Sequence, residues 1–148
     1  MAGVRCFVAL GANLGDPVAT IRAALAALRE LPQAKLVAAS SLYRTAPVGL
    51  THQPDFINAV VEMRAVSPAP NFLAELFAIE ARFGRQRDFA TPVPNAPRTL
   101  DLDLLLYGDL ISDDVQLILP HPRMHQRAFV LAPLAEIAPQ LVIPSLGV

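Results

Sequence analysis

The chain of 148 residues has one cysteine, three histidines and no tryptophan. A lone Cys6 cannot close an internal disulfide, which implies a reducing compartment and makes Cys6 a small apolar residue at a strand position. No His/Cys spacing suits zinc, and no Ser-His-Asp or Cys-His arrangement points to nucleophilic catalysis. Neither sign of charge dominates. A net charge of −1 lacks the broad basic field of a nucleic-acid surface. No stretch approaches the ~20 consecutive apolar residues of a membrane helix, and the start, Met1 to Val8, has no signal-peptide layout. Gly11-Ala-Asn-Leu-Gly15 is too short for a P-loop and lacks its lysine, and no protein-kinase motif set occurs. Repeats, low-complexity segments and interdomain linkers are missing too. The expectation is a cytoplasmic monomer with small-molecule partners, no nucleic acid and no membrane.

What is present is a core. Apolar residues make up 53%, enough for one folded domain spanning residues 1–148. Arg5 to Leu10 reads as a buried strand, and Gly11 to Asp16 as a turn in which Asn13 caps or braces the backbone. Asp16 is an N-cap with Pro17 in the first helical position. Ile21, Ala24, Leu25 and Leu28 repeat at helical spacing until Pro32. Lys35 to Tyr43 is extended, and Thr45 to Pro54 is a loop. Phe56 to Val66 is β-rich. Ser67-Pro68 opens a second helix, with Phe72, Leu73, Leu76, Phe77, Glu80 and Phe83 on or near one stripe, ended by Gly84. Residues 85–97 form a long polar loop of the kind that often acts as a lid. Leu100 to Tyr107 is a strand. Gly108 to Asp114 is a turn region with a short strand around Leu110, and Arg127 to Ile137 is a helix broken by Pro133. The order β-α-β-β-α-β is the split β-α-β pattern: an α+β, ferredoxin-like fold with two helices on one face of an antiparallel sheet and additional C-terminal elements.

The richest stretch is Arg98-Thr-Leu-Asp-Leu-Asp-Leu-Leu-Leu-Tyr107. Strand alternation puts Asp101 and Asp103 on one face, with Leu100, Leu102, Leu104 and Leu106 on the other. Their Cα atoms would lie roughly 6.6 Å apart. Two readings fit: an acidic edge-strand face that resists aggregation, or a site for divalent cations that relieve the repulsion. The leucine strand, Arg98 beside it and the arginine-rich loop favour the second. Magnesium suits two carboxylates whose shell water and phosphates complete, and a pair of ions is possible. Arg85, Arg87 and Arg98 can grip phosphate oxygens in a fork, although Arg85 or Arg87 alone reads as a solvated charge. His121, between two prolines, can be aimed at a phosphate, whereas His52 and His125 read as exposed polar residues. Thr45-Ala-Pro-Val-Gly49 and Asp55-Phe-Ile-Asn58 look like a small-molecule cleft. Asn58 offers a donor and an acceptor to a cyclic amide edge. Phe56, on the same strand face, suits either the core or a flat ring.

These residues fall in segments that resemble a known family. Pro97-Arg-Thr-Leu-Asp-Leu-Asp-Leu-Leu-Leu-Tyr-Gly108 resembles the signature of 6-hydroxymethyl-7,8-dihydropterin pyrophosphokinase, a folate-pathway enzyme. Ala9 to Gly15, Ser41 to Gly49, Gln53 to Ala59, Ile79 to Arg85 and Pro120 to Phe129 resemble further segments of it, in order along nearly the whole chain. The resemblance implies a ferredoxin-like fold and transfer of a pyrophosphoryl group from ATP to the pterin's hydroxymethyl oxygen, leaving AMP. It further implies that Asp101 and Asp103 bind two magnesium ions, that Arg85 and Arg98 assist transfer, and that Glu80, His121 and Arg127 lie on the ATP side, where the loop's Arg87 is expected as well. Thr45, Val48, Phe56, Asn58 and Phe129 then form the pterin pocket, the two phenylalanines sandwiching the ring. The chain departs from the family where a basic residue and a tryptophan often precede Arg98; here Pro94 and Asn95 stand there. Pro122 follows His121 where an aromatic can occur. A different nucleotide-using transferase with an Asp-x-Asp is the enzymatic rival, separable because pyrophosphoryl transfer releases AMP whereas nucleotidyl transfer releases diphosphate. A ferredoxin-like RNA-binding module is the other rival, and it would need sheet aromatics and a basic surface.

Overall fold

A computed structural model describes residues 3–46, 54–83, 100–122, 124 and 128–144. The elements run β1 (Val4–Ala12), α1 (Pro17–Arg29), β2 (Ala34–Ala39), β3 (Tyr43–Thr45), β4 (Phe56–Ala65), α2 (Ala69–Arg82), β5 (Asp101–Tyr107), β6 (Ser112–Asp114), β7 (Leu117–Leu119) and α3 (Ala128–Ile137). The main sheet has the order β2-β4-β1-β5 with antiparallel neighbours, and β3 pairs with β4 at the end away from β2. Each helix-containing connection therefore skips one strand, as the split β-α-β pattern requires. The fold class expected from the element order is the one found.

Local chemistry explains the elements. The Asp16 side chain accepts a hydrogen bond from the Ala19 N–H at 3.2 Å, and Pro17 occupies the first turn of α1. Gly15, just before the cap, has φ of 65°, a conformation that costs glycine little. Ile21, Ala24 and Leu28 of α1 and Phe72, Leu76 and Ile79 of α2 are buried against one face of the sheet. There they meet Cys6, Val8 and Leu10 of β1, Val61 and Met63 of β4, and Leu102 and Leu104 of β5. The second face carries a smaller cluster in which Phe7, Val60, Leu105 and Leu106 pack under Val130 and Leu134 of α3. Because both faces are covered, β4 is buried at nine of its ten residues, all but Arg64. At the end of this second face Arg5 pairs with Glu62, Nε to Oε2 at 3.1 Å, and its guanidinium lies 5.0 Å from the Phe7 ring centroid.

Several expectations are corrected. β1 continues through Gly11 and Ala12, because these residues pair with Asn58 and Ile57 of β4 instead of turning. The extended run after residue 34 splits into β2 and β3, and Thr45 belongs to β3 instead of opening a loop. Leu106 is not on the face of Leu102 and Leu104. The β1–β5 register passes from Phe7↔Leu106 to Val8↔Leu104, so Leu105 is an inserted residue that turns Leu106 to the opposite face. Leu110 lies outside any strand, and the region folds as the β6–β7 hairpin, with Ser112 opposite Leu119. Pro133 does not break α3. It removes one helical N–H, but it is buried beside Leu134, and packing of this face on β4 holds the helix together. Gly84 and the loop of residues 85–97 lie outside the described residues.

Cys6 is fully buried, and its thiol donates to the Met63 carbonyl at 3.5 Å. Burial first, then the Glu62 carboxylate, pushes its pKa up to about 12. It should therefore resist iodoacetamide at pH 8 in the native protein and react promptly in denaturant, as mass spectrometry would read. Replacing Asp16 with alanine should lower stability by about 1 kcal/mol in urea unfolding, the ordinary loss for an N-cap.

Candidate active site

Register on the second sheet face assembles the site. Asn58 of β4, Gly11 of β1 and Asp101 of β5 are Cα partners in one row across three strands. At the usual strand spacing the outer two lie about 9–10 Å apart. Gly11 stands between them without a side chain, so the floor of this span is bare backbone. A Cβ built on Gly11 would come within 3.1 Å of Asn58 Oδ1. The next row is Val60, Ala9 and Asp103, again with a small residue in the middle. β1 thus forms a shallow trough with the acids along one side.

Asp101 and Asp103 share this face, as alternation requires. Asp101 is 9% exposed and Asp103 half-buried. The intervening Leu102 and the neighbouring Leu100 and Leu104 are anchored in the helix-side core, which prevents a rotation that would turn the carboxylates onto that face. Glu80 reinforces this. It is 1% exposed in α2, and its Oε2 accepts a hydrogen bond from the Leu102 N–H at 2.7 Å. β5 ends the strand order, so an N–H on its outer edge needs such a partner. Glu80 thereby fixes the backbone between the two aspartates.

Asp103 also lines a cleft of about 520 Å³ bounded by α2, β5 and the β6–β7 hairpin, whose walls include Leu73, Phe77, Leu117, His121 and Pro122. The His121 N–H donates to the Leu105 carbonyl at 2.9 Å, which fixes the Pro-His-Pro turn on the edge of β5. Two residues singled out separately in the sequence, Asp103 and His121, are thus brought to one cleft with apolar walls and a polar end. The donor set fits a hard cation: two carboxylates on one face, of which Asp103 adjoins space for the water and phosphate oxygens that magnesium retains. Among the described residues no group of three or more His, Cys, Asp or Glu could chelate a metal by itself.

At the other end of the row, Asn58 is 6% exposed and its Nδ2 donates to Thr45 Oγ1 at 2.6 Å. Phe56, opposite Thr45, lies on the same sheet face as Asn58. Asn13 braces the entry to β4 by donating from Nδ2 to the Pro54 carbonyl at 3.1 Å. Phe129, at the start of α3, is half-buried against the second cluster. Thr45, Phe56, Asn58 and Phe129 are thus referred to one sheet face. Val48, Arg85, Arg87, Arg98 and Arg127 lie outside the described residues, as do Pro94 and Asn95.

A polar group that sequence reasoning did not single out borders this end. Glu136 of α3 accepts hydrogen bonds from Tyr43 Oη (2.6 Å), Ser41 Oγ (2.9 Å) and Ser41 N (3.1 Å). Tyr43 and then Ser41 hold the Glu136 carboxyl below its ordinary pKa, and the same Tyr43–Glu136 bond raises the phenol. The signs agree. The Glu136 contribution is complete above the ordinary carboxylate range and is lost as pH falls through its lowered pKa. The Tyr43 contribution is complete below the ordinary phenol range and is lost as pH rises through its raised pKa. The network is therefore intact around neutrality. Its only sequence signal was a glutamate in an apolar helix, and its partners lie more than 90 residues away.

Known proteins share this arrangement of sequence. The sequence model of the 7,8-dihydro-6-hydroxymethylpterin-pyrophosphokinase family matches residues 7–139. A 2-amino-4-hydroxy-6-hydroxymethyldihydropteridine pyrophosphokinase from Pseudomonas aeruginosa is 46% identical over 140 residues, covering 95% of this chain and 84% of the relative. Enzymes of the same name from Haemophilus influenzae and Bacillus subtilis are 42% and 44% identical, covering 96% and 91% of this chain and 86% and 78% of the relatives. No helix among the described residues is long and apolar enough to cross a membrane. With residues 7–139 matched by the family model and 95% of its length covered by a relative 46% identical, this chain belongs to the 7,8-dihydro-6-hydroxymethylpterin-pyrophosphokinase family.

Proposed function

We propose that this chain transfers the pyrophosphoryl group of ATP to the hydroxymethyl oxygen of 6-hydroxymethyl-7,8-dihydropterin and releases AMP, a step of folate biosynthesis. The observation that carries this reading is the row Asn58–Gly11–Asp101, with Asp103 at the adjoining cleft. One end of the row presents an amide suited to a pterin edge, and the other presents acids beside a space suited to a nucleotide.

In this reading the acceptor oxygen attacks the β-phosphorus of ATP, and the bond from that phosphorus to the α–β bridging oxygen breaks. AMP leaves with the bridging oxygen, and the hydroxyl proton is released as the new bond forms. Asp101 and Asp103 would hold two magnesium ions, whose charge would offset that of the phosphate oxygens. Thr45, Val48, Phe56, Asn58 and Phe129 hold the pterin, with the phenyl rings on its flat faces. Asn58 reads the cyclic amide edge, and the bare backbone at Gly11 leaves room for the ring. Arg85 and Arg98 bind the transferring phosphates, while Glu80, Arg87, His121 and Arg127 serve the nucleotide side, Glu80 by fixing the backbone of β5. Rate then comes mainly from alignment and from fixed charges in a partly dry site. The chain is further proposed to work as a cytoplasmic monomer with small-molecule substrates and no nucleic-acid partner.

Asp101→Asn and Asp103→Asn should each lower kcat by at least about 10²–10³-fold while leaving the melting temperature close to that of the parent. Assays with ATP and the pterin should yield AMP; diphosphate as the product would identify nucleotidyl transfer instead. Asn58→Ala should weaken pterin binding about tenfold by calorimetry, the loss of roughly 1.4 kcal/mol, without a matching loss for nucleotide. Gly11→Ala, which crowds Asn58, should act in the same direction. Equal weakening of both ligands would remove Asn58 from the pterin pocket.

A further inference from the structure

We propose that Glu136 is a positioning residue for the pterin pocket, clamping the β2–β3 connection to α3 so that Thr45 and Asn58 stay aligned for the substrate ring. This rests on the pocket assignment above.

β3 has only three residues, too few to hold a fixed place by ladder bonds alone. Its pairings are Tyr43 with Asn58, Arg44 with Ile57 and Thr45 with Phe56, so any slip of β3 moves the Thr45 hydroxyl away from Asn58 Nδ2. The buried Ser40 is well fastened: its N–H donates to the Val60 carbonyl, and its hydroxyl accepts from the Val60 N–H, both at 2.9 Å. Beyond Ser40, the donors of Ser41 and Tyr43 converge on one carboxylate, that of Glu136. The same helix carries Phe129. Glu136 follows it by seven residues, nearly two full turns, so both leave α3 on one stripe about 10 Å apart. α3 itself packs on β4 and touches β3. One side chain therefore joins the helix bearing one wall of the pocket to the strand bearing another. A carboxylate suits this task, since its two oxygens accept from a phenol, a hydroxyl and a backbone N–H together.

The test is calorimetric titration of the full chain with the pterin and, separately, with a non-hydrolysable magnesium–ATP analogue. It compares the parent, Glu136→Ala, Tyr43→Phe, Asn58→Ala and the Glu136→Ala/Asn58→Ala double variant, with melting temperatures alongside. Glu136→Ala should raise the pterin Kd about tenfold and leave the nucleotide Kd within about twofold. Tyr43→Phe, a milder change, should raise the pterin Kd about threefold. The double variant should bind pterin hardly more weakly than Asn58→Ala alone, because both substitutions break the same chain of contacts. An unchanged pterin Kd in Glu136→Ala, with Asn58→Ala weakened, would overturn the clamp and leave the pocket assignment standing. Additive losses in the double variant, or equal loss of both ligands, would also overturn the clamp. An unchanged pterin Kd in Asn58→Ala would sink the pocket assignment and the clamp with it.

Discussion

The pairing of β1 with a strand on each edge is the constraint on which the rest depends. β4 and β5 are far apart in sequence and never touch one another in the strand order. Only their common registration on β1 brings Asn58 opposite one side of Gly11 and Asp101 opposite the other. The register is held by burial. Slipping β1 by one residue would turn Cys6, Val8 and Leu10 out of the helix-side core and put Phe7 and Ala9 into it. The hydrophobic pattern that stabilises the sheet therefore also sets the spacing of the site.

β5 ends the sheet, and its outer edge shapes the nucleotide side. An unpaired strand edge would leave N–H and carbonyl groups without partners. Here Glu80 takes the Leu102 N–H, and the His121 N–H meets the Leu105 carbonyl. Each of these contacts satisfies a backbone group, and the second also fixes His121 in the wall of the cleft. The inserted residue at Leu105 adds a further consequence. Upstream of it, the second face of β5 carries the two acids. Downstream, that face carries Leu106, which packs with Phe7 under α3. One residue of slippage divides the strand into a chemical half and a packing half.

Much of this was legible in the sequence because the signals were local. Asp16-Pro17 marked a helix start by cap chemistry, and the spacing of Ile21, Ala24 and Leu28 marked its buried face. Alternation placed Asp101 and Asp103 together because the period of a strand is two wherever no residue is inserted. The same rule failed at Leu106, since a bulge depends on the partner strand. It misjudged Pro133 as well, because local propensity does not register the packing of α3 on β4. The end of β1 was read as a turn because Gly11 is a common turn residue, whereas its place here follows from close approach to Asn58.

Composition and short-range pattern by themselves determined the order of the four main strands and the two helices between them, the split β-α-β class, the acidic pair and the family resemblance, since each is written in neighbouring residues. Tertiary structure alone decided that Asn58 and Asp101 share a row across Gly11, that Glu80 serves the Leu102 N–H, and that Glu136 gathers Ser41 and Tyr43. These contacts join residues about 20 to 95 positions apart. Their geometry comes from sheet register and helix packing, which satisfy burial and hydrogen bonding over the whole molecule at once and leave no signature in any single stretch of chain.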